Sequence, residues 1–367
     1  MDKRIPLQAL ACEYLQHRDS YSALFDRVCT DAAFCDGSHV HRFERDFAAF
    51  CGVRAASAVN NGTNALVLAL KILGVQPGDE VLLPAATFVS TAWAVLANGA
   101  TPVFADIAPD SWELDPADAA RRLTKRTKLL LGVHLYGNLC DVAALQALAE
   151  GAGIPFVEDA AQAHGAELGG KRAGAFGKIG CFSFYPTKNL GAFGEGGCLV
   201  SDDEALMERA AFLKKHAQTP SGDHTEFAFN MRMEGLQGAV LAERLPRLEA
   251  ANARRREIAR LYRTATDGTR LQPQAIRPGV TPAYHLFVVQ ADDRRHFMQY
   301  MDDRGIDTGI HYALPCHLQT AFNRFGYRAG SLPQTEQLCA HCVSVPLHPY
   351  MSETEIARVA DALAAYQ

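Results

Sequence analysis

The chain has 367 residues, of which 48% are hydrophobic, and this is enough for one large domain and a smaller one. Its net charge of -5 and its pI near 6.2 argue against nucleic acid or an anionic membrane surface as a partner. No run of about 18 apolar residues occurs, and residues 1–7 lack the apolar core of a signal peptide, so we expect a cytoplasmic protein that does not cross a membrane.

Apolar strands and helices alternate between about residues 56 and 205. Short apolar runs separated by helices predict an α/β fold, with a largely parallel central sheet covered by helices on both faces. A helix is predicted over 63–73, with Gly74 as its stop. The predicted strands are Glu80–Leu83, Pro102–Ala105, Lys128–Val133, Pro155–Glu158 and Gly180–Phe184.

The last third of the chain has a different pattern. A long helical stretch after Glu234 carries three consecutive arginines, 254–256, which we interpret as the solvated face of a linker helix. A strand over 285–289 and helices near 294–304 and 354–365 then indicate a smaller α+β domain. We therefore predict a large domain over 1–245 and a small domain over 246–367.

Ten cysteines are scattered among apolar neighbours, which is typical of free thiols in a reducing compartment. Cys339 and Cys342, with His341 between them, have the spacing of metal ligands. A second pair at zinc-ribbon distance is missing from the sequence. We therefore predict no metal site.

Three segments follow predicted strands at their carboxyl ends, where open α/β sheets bind ligands. The first is Asn60–Asn64, which opens the predicted helix with Gly62 and Thr63. Backbone N–H groups at such a helix start are suited to a phosphate. The alternative is that Asn61 or Thr63 only caps the helix.

The second segment, 157–165, ends a strand with the acidic pair Glu158 and Asp159. A carboxylate at a strand end is costly to bury unless it meets a cation. Asp159 is therefore a candidate partner for a protonated ring nitrogen, and an N-cap is the alternative.

The third segment runs from Gly180 through a Pro-Thr turn to Lys188 and then to the glycine-rich stretch 191–197. A lysine between an apolar strand and such a loop suggests an amine that forms a Schiff base. Together with Asp159 and the phosphate donors, Lys188 completes the set of groups that pyridoxal 5′-phosphate (PLP) requires.

These motifs resemble the successive signatures of the DegT/StrS family of PLP-dependent sugar-nucleotide aminotransferases. The resemblance extends from Ile5-Pro6-Leu7 to 345–349, and it is carried by 61–63, 87–88, 158–165, 182–191 and 230–233. It implies a fold-type I enzyme, a homodimer with active sites shared between subunits, and transfer of an amine from glutamate to a nucleotide-linked keto-hexose. The presence of Lys188, rather than the histidine of the dehydrating branch, favours transamination.

The resemblance also implies a role for each matching residue. Lys188 would hold the cofactor as a Schiff base, and Asp159 would pair with its ring nitrogen. Phe88 would stack on the ring and Gln162 would contact the ring hydroxyl. The phosphate would be bound by Gly62, Thr63 and Ser183, and by Asn230 from the neighbouring subunit. For Phe88 alone, a core aromatic is the alternative.

Substrate contacts are predicted at four further positions. His311, Tyr312 and His317 resemble the region near the substrate entrance, although a lone histidine is as often structural. Arg232 is a candidate phosphate clamp, with a surface ion pair as the alternative.

The reaction expected from the resemblance has two halves. Glutamate would convert PLP to pyridoxamine 5′-phosphate, which would then aminate the ketosugar. The sequence around Lys188 is most similar to members that act at the 3-position of dTDP-sugars, and the 4-position stays open. Two alternatives also stay open: an aminotransferase for a free cyclitol or another ketone, and a PLP-binding regulatory protein without turnover.

Overall fold

The computed structural model describes residues 4–367. Residues 1–3, which belong to the predicted large domain and to the segment used to argue against a signal peptide, lie outside the described residues. The helices are α1 (Leu10–Gln16), α2 (Arg18–Thr30), α3 (Ser38–Cys51), α4 (Gly62–Ile72), α5 (Ser90–Ala97), α6 (Pro116–Arg122), α7 (Val142–Ala152), α8 (Glu204–Leu213), α9 (Gly235–Arg244), α10 (Leu248–Thr266), α11 (Arg294–Asp302), α12 (Pro333–His341) and α13 (Glu353–Ala364). The strands are β1 (Ala55–Val59), β2 (Glu80–Pro84), β3 (Thr101–Ala105), β4 (Thr127–Val133), β5 (Phe156–Asp159), β6 (Glu167–Leu168), β7 (Lys171–Arg172), β8 (Ile179–Ser183), β9 (Gly197–Ser201), β10 (Gln272–Pro273), β11 (Val280–Thr281), β12 (Phe287–Gln290) and β13 (Cys342–Val345).

The central sheet has seven strands in the order β1-β9-β8-β5-β4-β2-β3. Strand β9 runs antiparallel to both of its neighbours, and the strands from β8 to β3 are parallel to one another. The predicted α/β fold with a mostly parallel sheet is therefore confirmed. All five predicted strands lie within it, and β1 and β9 complete it.

The sheet is buried on both faces, as its continuous apolar strands predicted. Along β4, Leu129 and Leu131 pack into one hydrophobic cluster, while Leu130 packs into another on the opposite face. The layer that includes α4 and α5 covers the first face. Helices therefore flank the sheet, and its carboxyl edge is left for the loops that follow β5 and β8.

The C-terminal part has its own antiparallel sheet, β10-β12-β13, and its own core with α10, α11 and α13. Ile5 belongs to this core, and its backbone N–H donates to the Gly305 carbonyl at 2.8 Å. The start of the chain thus packs on the C-terminal part. The division at 245/246 stays a prediction. Among the described helices, none combines the length and apolarity that a bilayer crossing requires.

The arginine run on α10 is not a uniformly solvated face, which corrects the interpretation from the sequence. Arg254 forms ion pairs with Glu257 and Glu353, as a surface residue does. Arg255 is buried and donates from Nη1 to the Leu347 carbonyl at 2.7 Å. Successive residues of a helix point in different directions, so Arg254 can face solvent while Arg255 faces the interior.

We expect Arg255→Leu to lower the free energy of unfolding by more than about 2 kcal/mol, because it leaves buried carbonyls without a charged donor. The matched change Arg254→Leu should cost less than about 1 kcal/mol, since it removes only exposed ion pairs. Equilibrium urea unfolding of the two variants measures the difference. Equal losses would contradict the assignment of Arg255 to the interior.

Candidate active site

A cavity of about 800 Å³ lies at the carboxyl edge of the central sheet. Nine residues predicted from the sequence line it together, although they come from five separate parts of the chain. They are Gly62, Thr63, Phe88, Asp159, Gln162, Ser183, Lys188, His311 and Tyr312. The structure thus gathers most of the predicted set around one space of ligand size.

The start of α4 provides an anion cradle in this cavity. Asn61 caps the helix, since its Oδ1 accepts from the Asn64 N–H at 2.8 Å. This cap leaves the N–H groups of Gly62 and Thr63 for a ligand. A Cβ atom on Gly62 would lie 2.5 Å from Ser183 Cβ, so only glycine lets the helix approach β8 this closely. Asn61 can therefore cap α4 while the N–H groups of Gly62 and Thr63 bind a phosphate.

Asp159 ends β5 with its side chain buried. Its carboxylate accepts from Thr91 Oγ1 at 2.8 Å and from the Ala161 N–H at 3.2 Å. Burial raises the pKa of this carboxyl above its usual value, and these hydrogen bonds oppose the change. Within residues 4–367 it forms no ion pair. Binding of a ligand that places a positive charge next to the Asp159 carboxylate would therefore stabilise the ionised form of this carboxylate.

Lys188 lies in the turn after β8, where its N–H donates to the Tyr185 carbonyl at 2.8 Å. Burial lowers the pKa of the Lys188 amine to about 8, against the opposing charge of Asp159. A substantial neutral fraction of the amine is therefore present at physiological pH. A neutral amine is the form that attacks an aldehyde.

Three histidines surround this amine without adding charge. Burial, together with the Lys188 charge, lowers the pKa of His164 to about 3 and that of His311 to about 4. The pKa of His285 lies well below its usual value for the same reasons. All three rings are neutral near pH 7, and the charge that opposes the lowering of the Lys188 pKa comes from Asp159.

The remaining predicted residues form the walls of the cavity. Phe88 is 50% exposed and its ring centroid lies 5.5 Å from that of Tyr312, so it is not a core aromatic. Gln162 accepts from the Tyr136 N–H at 2.7 Å and donates to the Tyr312 hydroxyl at 3.1 Å. One N–H of the Gln162 amide therefore stays available to a ligand.

Thr91 is a site residue that the sequence reasoning missed. It donates to the Asp159 carboxylate, and its Oγ1 lies 2.7 Å from Oγ1 of Thr87, which precedes α5. Nothing in the local sequence pattern indicated this contact, because Thr87 is outside the helix that carries Thr91. Glu158 does not share the cavity, since it is fully buried with His134 at 2.8 Å. Only one member of the acidic pair therefore faces the ligand space.

Three predicted residues do not line the cavity. Asn230 is exposed, and it accepts from Arg232 Nε at 3.2 Å on the segment after α8. The His317 side chain is fully buried and lies 3.1 Å from Glu336. As placed, His317 lacks the exposure that contact with a sugar requires, which corrects that expectation in favour of the structural alternative.

The cavity fits PLP by its chemistry. The open N–H groups at the start of α4 match a phosphate, and the close approach of Gly62 to Ser183 places the serine hydroxyl beside them. The unpaired Asp159 matches a protonated ring nitrogen, and Lys188 matches an aldehyde. Each group of the cofactor thus has a partner in the described residues.

Comparison with known proteins agrees with this geometry. The sequence profile of the DegT/DnrJ/EryC1/StrS aminotransferase family matches residues 17–364. A Streptomyces venezuelae protein named dTDP-3-amino-3,4,6-trideoxy-alpha-D-glucose transaminase is 39% identical over 361 residues, which is 98% of this chain and 95% of that protein.

Two solved structures superpose on nearly the whole chain. S. venezuelae DesV, in complex with a ketimine intermediate, has a TM-score of 0.96 and 39% identity, covering 99% of this chain and 98% of its own. NtdA from Bacillus subtilis, with bound cofactor PMP, has a TM-score of 0.90 and 28% identity, covering 99% and 85%. The chain therefore belongs to the DegT/DnrJ/EryC1/StrS aminotransferase family and is a PLP-dependent aminotransferase.

Proposed function

We propose that this chain transfers an amino group from glutamate to the keto carbon of a nucleotide-linked hexose and so makes an amino sugar. The observation that carries the proposal is that Lys188, with its lowered pKa, shares one cavity with the unpaired Asp159 and the open start of α4. The name of the S. venezuelae relative favours a dTDP-linked 3-keto sugar. A cytoplasmic location belongs to the same proposal.

Bound PLP supplies an electron sink for the carbanion that transamination requires. Lys188 Nζ would hold the cofactor and, once released by the incoming amine, move the proton from the donor α-carbon. Asp159 would keep the ring nitrogen protonated. Gly62, Thr63 and Ser183 would bind the phosphate, Phe88 would stack on the ring, and Gln162 would offer its remaining N–H to the ring hydroxyl.

Substrate contacts are proposed for His311 and Tyr312. His311 Nδ1 lies 2.8 Å from Ser344 Oγ, which leaves Nε2 for a ligand. Because burial lowers the pKa of His311 to about 4, the ring would act as a neutral hydrogen-bonding group. Tyr312 would orient the sugar with a hydroxyl that Gln162 already holds.

We propose a homodimer because the cavity of one chain has a single cationic side chain. Lys188 is the only lysine or arginine among its lining residues within 4–367, whereas the cofactor and a sugar nucleotide both carry phosphates. Asn230 and Arg232 lie together outside this cavity, and we propose that they reach the cavity of the second subunit. The exposed aromatic side chains Phe193 and Phe227, which lie outside the cavity lining, support such an interface.

The first prediction concerns the substrate. With glutamate as donor, we expect amination of a dTDP-3-keto-hexose in preference to the 4-keto isomer, the UDP and GDP analogues and a free carbocyclic ketone. Mass spectrometry of the products measures the preference. Equal or better use of the free ketone would overturn the nucleotide requirement. Failure of glutamate to convert the cofactor to its pyridoxamine form would indicate a binding protein without turnover.

The second prediction concerns pH. Because burial lowers the pKa of Lys188 to about 8, the rate at which apo-protein captures PLP should rise with pH and level off above about pH 8. Borohydride reduction followed by mass spectrometry measures the captured fraction. Asp159→Asn should move the midpoint lower, since the Asp159 charge raises the Lys188 pKa.

Two matched variants control this experiment. Lys188→Ala should form no reduced adduct, whereas Lys178→Ala should behave like the wild type because Lys178 is an exposed partner of Asp203. An adduct in Lys188→Ala, or a midpoint near the ordinary lysine value, would show that another amine holds the cofactor.

The third prediction tests the shared site. Lys188→Ala and Asn230→Ala should each be impaired, but mixed dimers of the two should regain activity. One of the two sites then combines an intact Lys188 with an intact Asn230 from the other subunit. Random pairing should restore about a quarter of the wild-type rate, as expected for symmetric dimers. No recovery after refolding the two together would place Asn230 in the cavity of its own chain, or in none.

A further inference from the structure

Asn252 lies in the second turn of α10, and its side chain is fully buried. It is not among the residues that line the cavity described above. Both ends of its amide are nevertheless bonded. Nδ2 donates to the His164 carbonyl at 2.7 Å, and Oδ1 accepts from Asn189 Nδ2 at 2.9 Å. One side chain thus links two loops that are far apart in the sequence.

The first of these loops carries the lysine. Asn189 directly follows Lys188, and its Nδ2 also donates to the Ala283 carbonyl at 2.8 Å. Its Oδ1 lies 3.2 Å from His285 Nδ1. The Asn189 amide therefore joins the turn of Lys188 to α10 and to the segment before β12.

The second loop carries the carboxylate. It begins at Asp159 and is closed by the Ala163 N–H, which donates to the Ala160 carbonyl at 2.9 Å. His164 then presents its carbonyl to Asn252. At Gly165 the backbone φ is +81°, and a Cβ atom there would lie 2.9 Å from Asn252 Nδ2. Glycine is needed at this position both for the turn and for the approach of the asparagine.

Hydrogen bonds of this kind are not required for packing alone. A buried apolar side chain would fill the same space, whereas an amide whose partners are lost leaves buried polar groups without hydrogen bonds, which destabilises the fold. A fully bonded amide fixes direction as well as distance. The arrangement is therefore suited to orienting the two loops relative to each other.

We propose that Asn252 is a positioning residue that sets the separation of the Lys188 amine and the Asp159 carboxylate, through Asn189 on one side and His164 on the other. The inference rests on the proposed roles of these two groups. They act on opposite parts of one rigid ring, so their separation must be held to a fraction of an ångström.

The experiment compares Asn252→Ala, Asn189→Ala and the double variant as PLP-loaded protein. Each single change should lower kcat by about 10- to 100-fold, as misplacement of reacting groups does, with a smaller change in KM for the donor. The absorption maximum and visible circular dichroism of bound PLP should shift in both. The double variant should lose no more than the worse single variant, because the two residues act through one link.

Asn98→Ala is the matched control. Asn98 also donates to two backbone carbonyls, those of Val67 at 3.1 Å and Ala94 at 2.9 Å, but it does not line the cavity. Its loss should lower the melting temperature without changing kcat or the spectrum of bound PLP.

Two outcomes would overturn the inference. In the first, Asn252→Ala and Asn189→Ala fold and both retain the wild-type kcat and the wild-type spectra of bound PLP. In the second, the double variant loses as much activity as the two single losses combined. If Asn252→Ala does not fold, Asn189→Ala decides alone, since it changes a turn and leaves α10 intact. Wild-type protein that holds no PLP on Lys188 would instead refute the proposed function, and this result is separable because it does not involve the variants.

Discussion

The site depends on keeping an amine and a carboxylate apart in one poorly solvated space. Burial lowers the pKa of Lys188 from 10.5 to about 8, a difference on the order of 3 kcal/mol, and raises the pKa of Asp159. In the described chain the two groups do not relieve this cost by forming an ion pair. A ligand that takes up the amine and offers the carboxylate a cation relieves both costs, so cofactor binding and folding stability are coupled.

The central sheet brings the two groups to one edge. Asp159 pairs in register with Cys181 of the parallel strand β8, so the ends of the two strands are adjacent at one edge. The antiparallel strand β9 begins at Gly197, which packs against the start of α4. A Cβ atom added to Gly197 would lie 2.3 Å from the Asn61 carbonyl oxygen. The phosphate cradle is therefore braced by the strand that follows the glycine-rich loop. Lysine, carboxylate and cradle become neighbours through strand order rather than through sequence proximity.

The sequence allowed prediction of those features that depend on local pattern. Apolar runs separated by helices predicted the parallel strands, and strand ends predicted Lys188, Asp159 and Gly62 at one edge. The antiparallel strand β9 was not predicted, although the absence of a helix between β8 and β9 is typical of antiparallel neighbours, because parallel neighbours need a crossover. The burial of Arg255 and His317 had no such signal. Each depends on a partner elsewhere in the chain. The partner of Arg255 is the Leu347 carbonyl, and the partner of His317 is Glu336 on α12.

Cofactor chemistry and substrate recognition have different physical origins in this fold. The groups expected to act on the cofactor lie on strand ends and turns of one chain, where buried hydrogen bonds hold them. A sugar nucleotide adds two phosphates that the nearly cation-free cavity of that chain cannot neutralise. We propose that Arg232 of a second subunit supplies a further cation, with Asn230 as its neutral hydrogen-bonding neighbour. Fold and cofactor chemistry therefore do not fix the nucleotide that the enzyme accepts.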